Sequence, residues 1–516
     1  MTRINIAEFS GEGLVLCNAT IKKQLGEKLY TKFINRMTVT EIPSPGRPKH
    51  FYLQSILAYE LKGSKLTIPA EMGKYLQTLK TTDGLKFITN IIDTRSEPGT
   101  IHGELTDIEL YPYQEAAISH LVDILADPDP IKRHAYLQMD TGLGKTRLGL
   151  GLIVEMSTPT VIIVPTKAIA EQWVVEIENN LPTVTCTIYN NKMGNAHHKY
   201  DIVIIVINTA REKSPDFMSY FGLMILDEVH EYFSKCNKQI LWLSQQVSCV
   251  LGMSATPSSR QDGLDSYITK FLGEPIRAAT IPGCSVGDVK FTGSVKVIKY
   301  YGDPNCSESV VTTAGTTSAI MTISSMVKDK MRMKILIDEI MELIKVHCVM
   351  VFAELRDYLI EIKDALLLRV AESDIYAPEL EILRGGSNVH NMEHAKRSRI
   401  VLTTYGYSRR GVSLRDMTAL VLSTPRKSGM EQIIGRILRR GSDETIERKI
   451  IDIVDMNSIL KSQYSERKKI YEMKSYPITV TKVKFTPVIK KDDIILAEPD
   501  PEPDNFDELY DELVSE

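Results

Sequence analysis

No apolar run in this chain approaches the roughly 18 residues that a membrane-spanning helix needs, and the longest, such as residues 202–207, are the size of a strand. The seven cysteines lie far apart with no C-x-x-C pair, which argues against a zinc ligand set and against a disulfide framework. The opening residues, Met1-Thr-Arg-Ile-Asn-Ile, lack the charged-then-apolar layout of a signal peptide. These absences lead to the expectation of an intracellular, soluble protein. A strong charge bias is also missing, since the net charge is −4 over 516 residues. That figure hides an asymmetry: residues 498–516 hold nine acids and no Lys or Arg, so the rest of the chain carries +5. A mildly basic body with an acidic tail is compatible with nucleic-acid binding.

What is present is ordinary globular composition, 43% hydrophobic and 25% charged, in a length that suggests about three domains. Residues 1–104 mix short strand-like and helix-like pieces and carry no chemical motif. They are expected to form a small α+β accessory domain. An apolar helical pattern through Ala117, Ile118, Leu121, Val122 and Leu125 ends at Asp127-Pro-Asp-Pro130, because proline cannot continue a helix. Residues 105–280 then alternate fully apolar runs (161–164, 202–207, 223–226) with helical stretches (168–179, 238–247). Unbroken apolar strands indicate a parallel sheet covered on both faces. A second α/β domain, 281–475, repeats the pattern with strands at 348–352, 400–403 and 419–422 and a helix over 332–345, without any sequence repeat of the first. Residues 302–325, rich in Ser, Thr and Gly, read as a surface loop. Residues 476–516 form an extension whose acidic, proline-spaced end cannot bury enough apolar surface to fold alone.

Three short stretches carry chemistry. Residues 139–146, Met-Asp-Thr-Gly-Leu-Gly-Lys-Thr, join a strand to an apolar helix. Gly142 and Gly144 let the backbone turn its N–H groups onto phosphate oxygens, and the helix start adds its positive end. Lys145 then reaches the β- and γ-phosphates and the Thr146 hydroxyl ligates Mg²⁺. A Gly-rich turn with a solvated lysine is the plainer alternative. At Leu226-Asp-Glu-Val-His230, Asp227 can hold Mg²⁺ through water while Glu228 orients and deprotonates the attacking water. In Gln432-Ile-Ile-Gly-Arg-Ile-Leu-Arg-Arg440 the spacing puts Gln432, Arg436, Arg439 and Arg440 on one helical face, suited to donating a guanidinium to phosphate.

Taken in order, TGLGKT, DEVH, Ser254-Ala-Thr-Pro257 and QIIGRILRR resemble motifs I, II, III and VI of superfamily 2 helicases. Gln114 in Leu110-Tyr-Pro-Tyr-Gln114 resembles the adenine-reading glutamine upstream of motif I. Val164-Pro-Thr-Lys-Ala-Ile-Ala-Glu-Gln-Trp173 resembles motif Ia, 207–211 resembles Ib, and 403–413 occupies the place of motif V. The resemblance covers about 110–475. It is nearest to the helicases of nucleocytoplasmic large DNA viruses, above all that of African swine fever virus, with the poxviral transcript-release helicase more distant. The chain departs from the pattern at Met139, where a small residue is common, at Ser413, where many relatives have aspartate, and around 351–353, where motif IV is degenerate.

The resemblance implies two tandem RecA-like parallel-sheet domains, to which the residues themselves add the small N-terminal α+β accessory domain and a disordered acidic C-terminal tail. It implies ATP and Mg²⁺ as cofactors. Nucleotide contacts fall to Gln114, residues 139–146 (Met139, Asp140, Thr141, Gly142, Leu143, Gly144, Lys145, Thr146) and Gln432. Catalysis falls to Lys145, Asp227, Glu228, Arg436 and Arg439, and the metal to Thr146 and Asp227. Coupling is assigned to His230, Ser254, Thr256 and Gly411. Sequence-nonspecific strand contacts fall to Thr166, Lys167, Thr209, Arg211, Thr404, Arg409 and Arg410. The expected activity is nucleic-acid-dependent ATP hydrolysis coupled to translocation or unwinding, on DNA, in viral transcript release or template handling. An RNA helicase and a non-catalytic scaffolding subunit are the alternatives. Expected surroundings are the viral transcription machinery, no membrane, a monomer, and the host cytoplasm at the viral factory, with the virion as a second location. His390-Asn-Met-Glu-His394 matches an inverted zinc-protease spacing but has no evident third ligand.

Overall fold

The computed structural model describes residues 4–10, 12–40, 55–82, 84, 88–140, 142–232, 237–255, 263–284, 291–313, 315–372, 378–385, 387, 389–408, 414, 416–427, 429–438, 443 and 445–486. The acidic tail therefore lies outside the described residues. The chain divides into two compact units, Met1–Asp288 and Val289–Glu516.

Among the described residues, the first unit holds two larger sheets and a two-stranded antiparallel pair, Thr38–Thr40 with Ser55–Leu57. A five-stranded sheet of the N-terminal residues runs in the order Glu60–Lys62, Lys65–Ile68, Gly13–Cys17, Ile4–Ser10, Ile88–Asp93. Helices Asn18–Arg36 and Ala70–Thr78 belong to the same segment. This α+β segment packs as part of the first unit. Ala70 N–H donates to Gln245 Oε1 at 2.9 Å, Glu71 Oε2 meets His134 Nε2 at 2.8 Å, and Arg95 donates to the Val247 carbonyl at 2.6 Å. Its Leu66, Ile68 and Met72 share one buried cluster with Ile131, Tyr136 and Tyr267.

The second sheet of this unit has seven strands, all parallel, ordered Cys186–Ile188, Ile202–Val206, Thr160–Val164, Leu223–Asp227, Cys249–Ser254, His134–Gln138, Ile276–Arg277. Strands Thr160–Val164 and Leu223–Asp227 are buried at every position, as continuous apolar runs require.

The second unit contains another seven-stranded parallel sheet, ordered Leu380–Leu383, Ile400–Thr404, Val349–Ala353, Ala419–Leu422, Arg448–Asp455, Gly293–Tyr301, Ile478–Lys484. Numbered along the chain within each sheet, both follow the order third, fourth, second, fifth, sixth, first, seventh. The last strand, Ile478–Lys484, places residues of the expected extension inside this sheet. The expected surface loop 302–325 is also more than a loop. Ser318 caps a helix, Ala319–Met326, that buries Thr322, Ile323 and Met326. Its Ser/Thr-rich composition reads as loop, but burial of one face stabilises the helix.

Candidate nucleotide and strand site

The strand His134–Gln138 ends in a turn over 139–144. Met139 N–H donates to the Ser254 carbonyl at 3.0 Å, and the Met139 side chain joins the core behind the turn. That is where the unusual residue is accommodated. Gly142 and Gly144 have φ of 87° and 78°, the left-handed region that glycine alone enters freely. A Cβ on Gly144 would lie 2.5 Å from Gln114 Nε2. Helix Lys145–Met156 starts at once, so its first N–H groups lack intrahelical partners and its dipole favours an anion there.

Lys145 Nζ donates to the Met139 carbonyl at 3.2 Å and stands 3.8 Å from Glu228 Oε1. Glu228 directly follows the strand Leu223–Asp227 with φ of 50°, which costs a non-glycine residue about 1–2 kcal/mol. Its Oε2 is buried and makes no hydrogen bond, with His230 Nδ1 3.5 Å away. His230 Nδ1 is hydrogen-bonded to Ser254 Oγ at 2.8 Å, so two residues assigned to coupling meet from adjacent strands. Asp227 is buried, and the Trp173 indole N–H donates to its Oδ2 at 2.9 Å. Burial pushes the Asp227 carboxyl up to about 6 and the Glu228 charge adds to the rise, while Trp173 and Lys145 oppose it.

Gln114 is fully buried and bonded to the turn. Its Nε2 donates to the Leu143 and Gly144 carbonyls at 3.0 and 3.2 Å, and its Oε1 accepts from Tyr111 N–H at 3.0 Å. The Tyr113 hydroxyl reaches the same Leu143 carbonyl at 2.9 Å. Sequence reasoning named Gln114 and Asp227 but missed Tyr113 as the companion of the first and Trp173 as that of the second. The signal was present for both: Tyr113 flanks Gln114, and Trp173 is one of only two tryptophans in the chain.

Among the strand-contact candidates, Thr166 caps helix Lys167–Asn180, its hydroxyl accepting from Ile169 N–H at 3.4 Å. Lys167 is exposed and pairs with Glu171 at 3.3 Å. Thr209 lies in the single-turn helix Ile207–Ala210, and Arg211 donates to Asn237 Oδ1 at 3.3 Å. The strands leading to these two places, Thr160–Val164 and Ile202–Val206, are parallel neighbours, so both sets share one sheet edge. Thr404 is buried and its hydroxyl accepts from Tyr407 N–H at 3.2 Å. Thr141, Thr256, Arg409, Arg410, Gly411 and Arg439 lie outside the described residues.

In the second unit the expected arginine face is not one helix. Met430–Ile434, which contains Gln432, is α-helical, Gly435–Ile437 with Arg436 is a 3₁₀ turn, and Leu438 leaves helical geometry at φ −111°, ψ 44°. Arg448 satisfies the carbonyls left at that end. Its guanidinium takes the Ile437 carbonyl at 2.6 Å, which would otherwise accept from a further turn, along with those of Asp443 and Ile446 at 2.8 and 2.7 Å. Gly435 weakens the helix in addition. Nearby in this unit, His394 Nδ1 and Asn391 Nδ2 both meet Glu381, each at 3.0 Å, which accounts for the zinc-like spacing as a local polar cluster.

Residues 107–259 match the family described as "Type III restriction enzyme, res subunit". The chain is 33% identical over 497 residues to "Putative ATP-dependent RNA helicase QP509L" of African swine fever virus, covering 92% of this chain and 94% of that protein. It is 22% identical to "Transcript termination protein A18" of cowpox virus over 75% of this chain and 77% of that one. Among solved structures, "S. cerevisiae Dbp5 bound to RNA and ADP BeF3" aligns with a TM-score of 0.49 at 14% identity, over 73% of this chain and 94% of that chain. No helix among the described residues is long and apolar enough to cross a membrane. With a 33% match running along nearly the whole length of both chains, this protein belongs to the superfamily 2 ATP-dependent helicases of large DNA viruses, the family of QP509L.

Proposed function

We propose that this helicase uses ATP to move along or unwind DNA during viral gene expression, in transcript release or template handling. The observation that carries the chemical part is the convergence of Lys145, Asp227 and Glu228 at the carboxyl edge of one parallel sheet, from strands on either side of Cys249–Ser254, with the Lys145 ammonium 3.8 Å from Glu228. Lys145 holds the terminal phosphates, and Glu228 orients and deprotonates the attacking water. The residues fit Mg²⁺: the Thr146 hydroxyl and Asp227 carboxylate are hard oxygen donors, and a carboxyl raised to about 6 by burial gains from a cation beside it. Bound there, Mg²⁺ would neutralise charge on the β- and γ-phosphates. Arg436 and Arg439, carried by the second unit, would complete the site as arginine fingers. Adenine reading by Gln114 requires its amide to leave the two carbonyls it now holds. His230 and Ser254, already bonded, pass the state of Glu228 to the strand beside it.

Transcript release is supported by the name of the poxviral relative A18 and template handling by the same viral setting. The fitting location is the host cytoplasm at the viral factory, with the viral transcription machinery as partner. An RNA substrate is the second reading, favoured by the name of QP509L. ATPase rates with single-stranded DNA, duplex DNA and RNA at matched salt decide between them. Stimulation by DNA above RNA is expected. The reverse order establishes the RNA reading, and no stimulation by any of the three overturns both.

A further inference from the structure

Trp173 stands in a place that nucleotide chemistry does not by itself require. It is 1% exposed in the middle of helix Lys167–Asn180, the helix whose first turn carries Thr166 and Lys167. Its indole edge donates to Asp227 Oδ2 at 2.9 Å. Its ring lies on the helix that follows the phosphate turn, so closely that a Cβ on Gly149 would be 2.7 Å from it. One side chain thus touches the acid of one strand end and the helix of another, from a third element. A carboxylate has two oxygens and can rotate about its own bond. A fixed N–H on one of them selects the rotamer and leaves the other oxygen to face outward. Phenylalanine would keep an aromatic ring in the same helix, but it lacks the far ring edge that packs on Gly149 and could not make that choice.

We propose that Trp173 is a positioning residue for the metal carboxylate: its N–H holds Asp227 Oδ2 so that Oδ1 is presented to the cation bound with nucleotide. The inference rests on the reading of Asp227 as a metal ligand. It also means that Trp173 emission reports on the site, because a cation on Asp227 weakens the carboxylate's hold on the indole N–H.

Two measurements test it on the full chain. In a Trp242→Phe background, Trp173 is the remaining tryptophan, and Trp242 contacts Tyr267 and Phe271 away from this site. Titrating Mg²⁺ into that protein saturated with ADP should shift its emission, and Asp227→Asn should abolish the shift. In the second arm, Trp173→Phe should raise the Mg²⁺ concentration giving half-maximal ATPase by about 10-fold or more, the usual effect of losing a ligand-orienting partner. Turnover at saturating Mg²⁺ should stay within about twofold of the parent. Trp173→Phe should lower the melting temperature through the volume it vacates beside Gly149, a loss that is the same with and without Mg²⁺. A general packing defect would instead lower turnover at all Mg²⁺ concentrations. If Asp227→Asn retains the emission shift, the metal assignment itself fails. If Asp227→Asn loses the shift while Trp173→Phe keeps the parental Mg²⁺ dependence, the assignment stands and the positioning role is overturned. Should Trp173→Phe not fold, absence of any Mg²⁺-dependent shift in the Trp242→Phe protein overturns the proposal unaided.

Discussion

The two seven-stranded sheets share one strand order, and they treat the same corner in opposite ways. In the first, the first strand, His134–Gln138, turns into its helix within six residues and sets Lys145 facing Glu228 beside Asp227. In the second, the first strand, Gly293–Tyr301, is separated from its helix, Lys330–Leu343, by residues 302–329. Arg332, at the third position of that helix, makes a two-pronged pair with Asp455 at 2.7 and 3.0 Å and donates to the Ser423 carbonyl at 2.7 Å. Asp455 ends the sixth strand, as Ser254 does in the first sheet, and Ser423 follows the fifth, as Glu228 follows Asp227. Arg332 and Asp455 are each about 1% exposed. One corner therefore holds a cation poised for an outside anion, while the other is neutralised from within by its own arginine. Topology alone does not separate the two sheets as nucleotide sites; the proposed reading separates them by the side chains at their strand ends.

If the second unit contributes to the first unit's chemistry by its arginines, Arg436→Ala lowers stimulated ATP turnover by about 10³-fold or more. Steady-state ATPase with nucleic acid present measures it, and a change below tenfold would leave each sheet chemically self-sufficient. Within the first sheet, Glu228→Gln keeps shape but removes the base, so hydrolysis falls by about 10²–10⁴ while ATP still binds. Near-parental turnover would show that the strained glutamate at φ 50° is not the group that activates water.

The closed corner of the second sheet answers to stability rather than turnover. Arg332→Met strands a buried carboxylate and should cost about 3–5 kcal/mol of unfolding free energy, whereas Arg332→Met with Asp455→Leu should cost much less. Denaturant unfolding compares the two, and equal losses would mean that the pair is not the source of the effect. The smallest effect expected is at the joint between the N-terminal sheet and the first sheet. The His134 contact and Lys74 hold the Glu71 carboxyl below its usual range against the opposing cost of burial. A carboxylate so depressed stabilises the fold fully above its ordinary value of 4.5, and the contribution disappears as pH falls through the lowered value. Glu71→Gln should therefore cost about 1 kcal/mol near pH 7, and the gap from the parent should close in acid. A gap independent of pH would assign the loss to packing.

Much of this was legible in the residues. Unbroken apolar runs such as 161–164 announced parallel strands because both faces of those strands are covered. The turn 139–144 was legible because its glycines, lysine and threonine are contiguous. The pairings that distinguish the two corners were not, since Trp173 meets Asp227 across 54 residues and Arg332 meets Asp455 across 123. Nothing local marks one arginine in an amphipathic helix as internal. The arginine run from 436 read as helix because its spacing is helical, whereas the described chain leaves helical geometry at Leu438, where Arg448 takes the Ile437 carbonyl. The contacts that join the N-terminal segment to the first sheet, Glu71 to His134 and Ala70 to Gln245, were not legible either, because they link residues far apart in sequence.

Nucleotide stoichiometry tests the difference between the corners most directly. Calorimetric titration of the full chain with Mg²⁺ and a non-hydrolysable ATP analogue should give one site per chain. That site should be weakened at least tenfold by Lys145→Ala and left unchanged by Arg332→Met in protein that remains folded. Two sites per chain, or binding that survives Lys145→Ala and falls with Arg332→Met, would contradict the account.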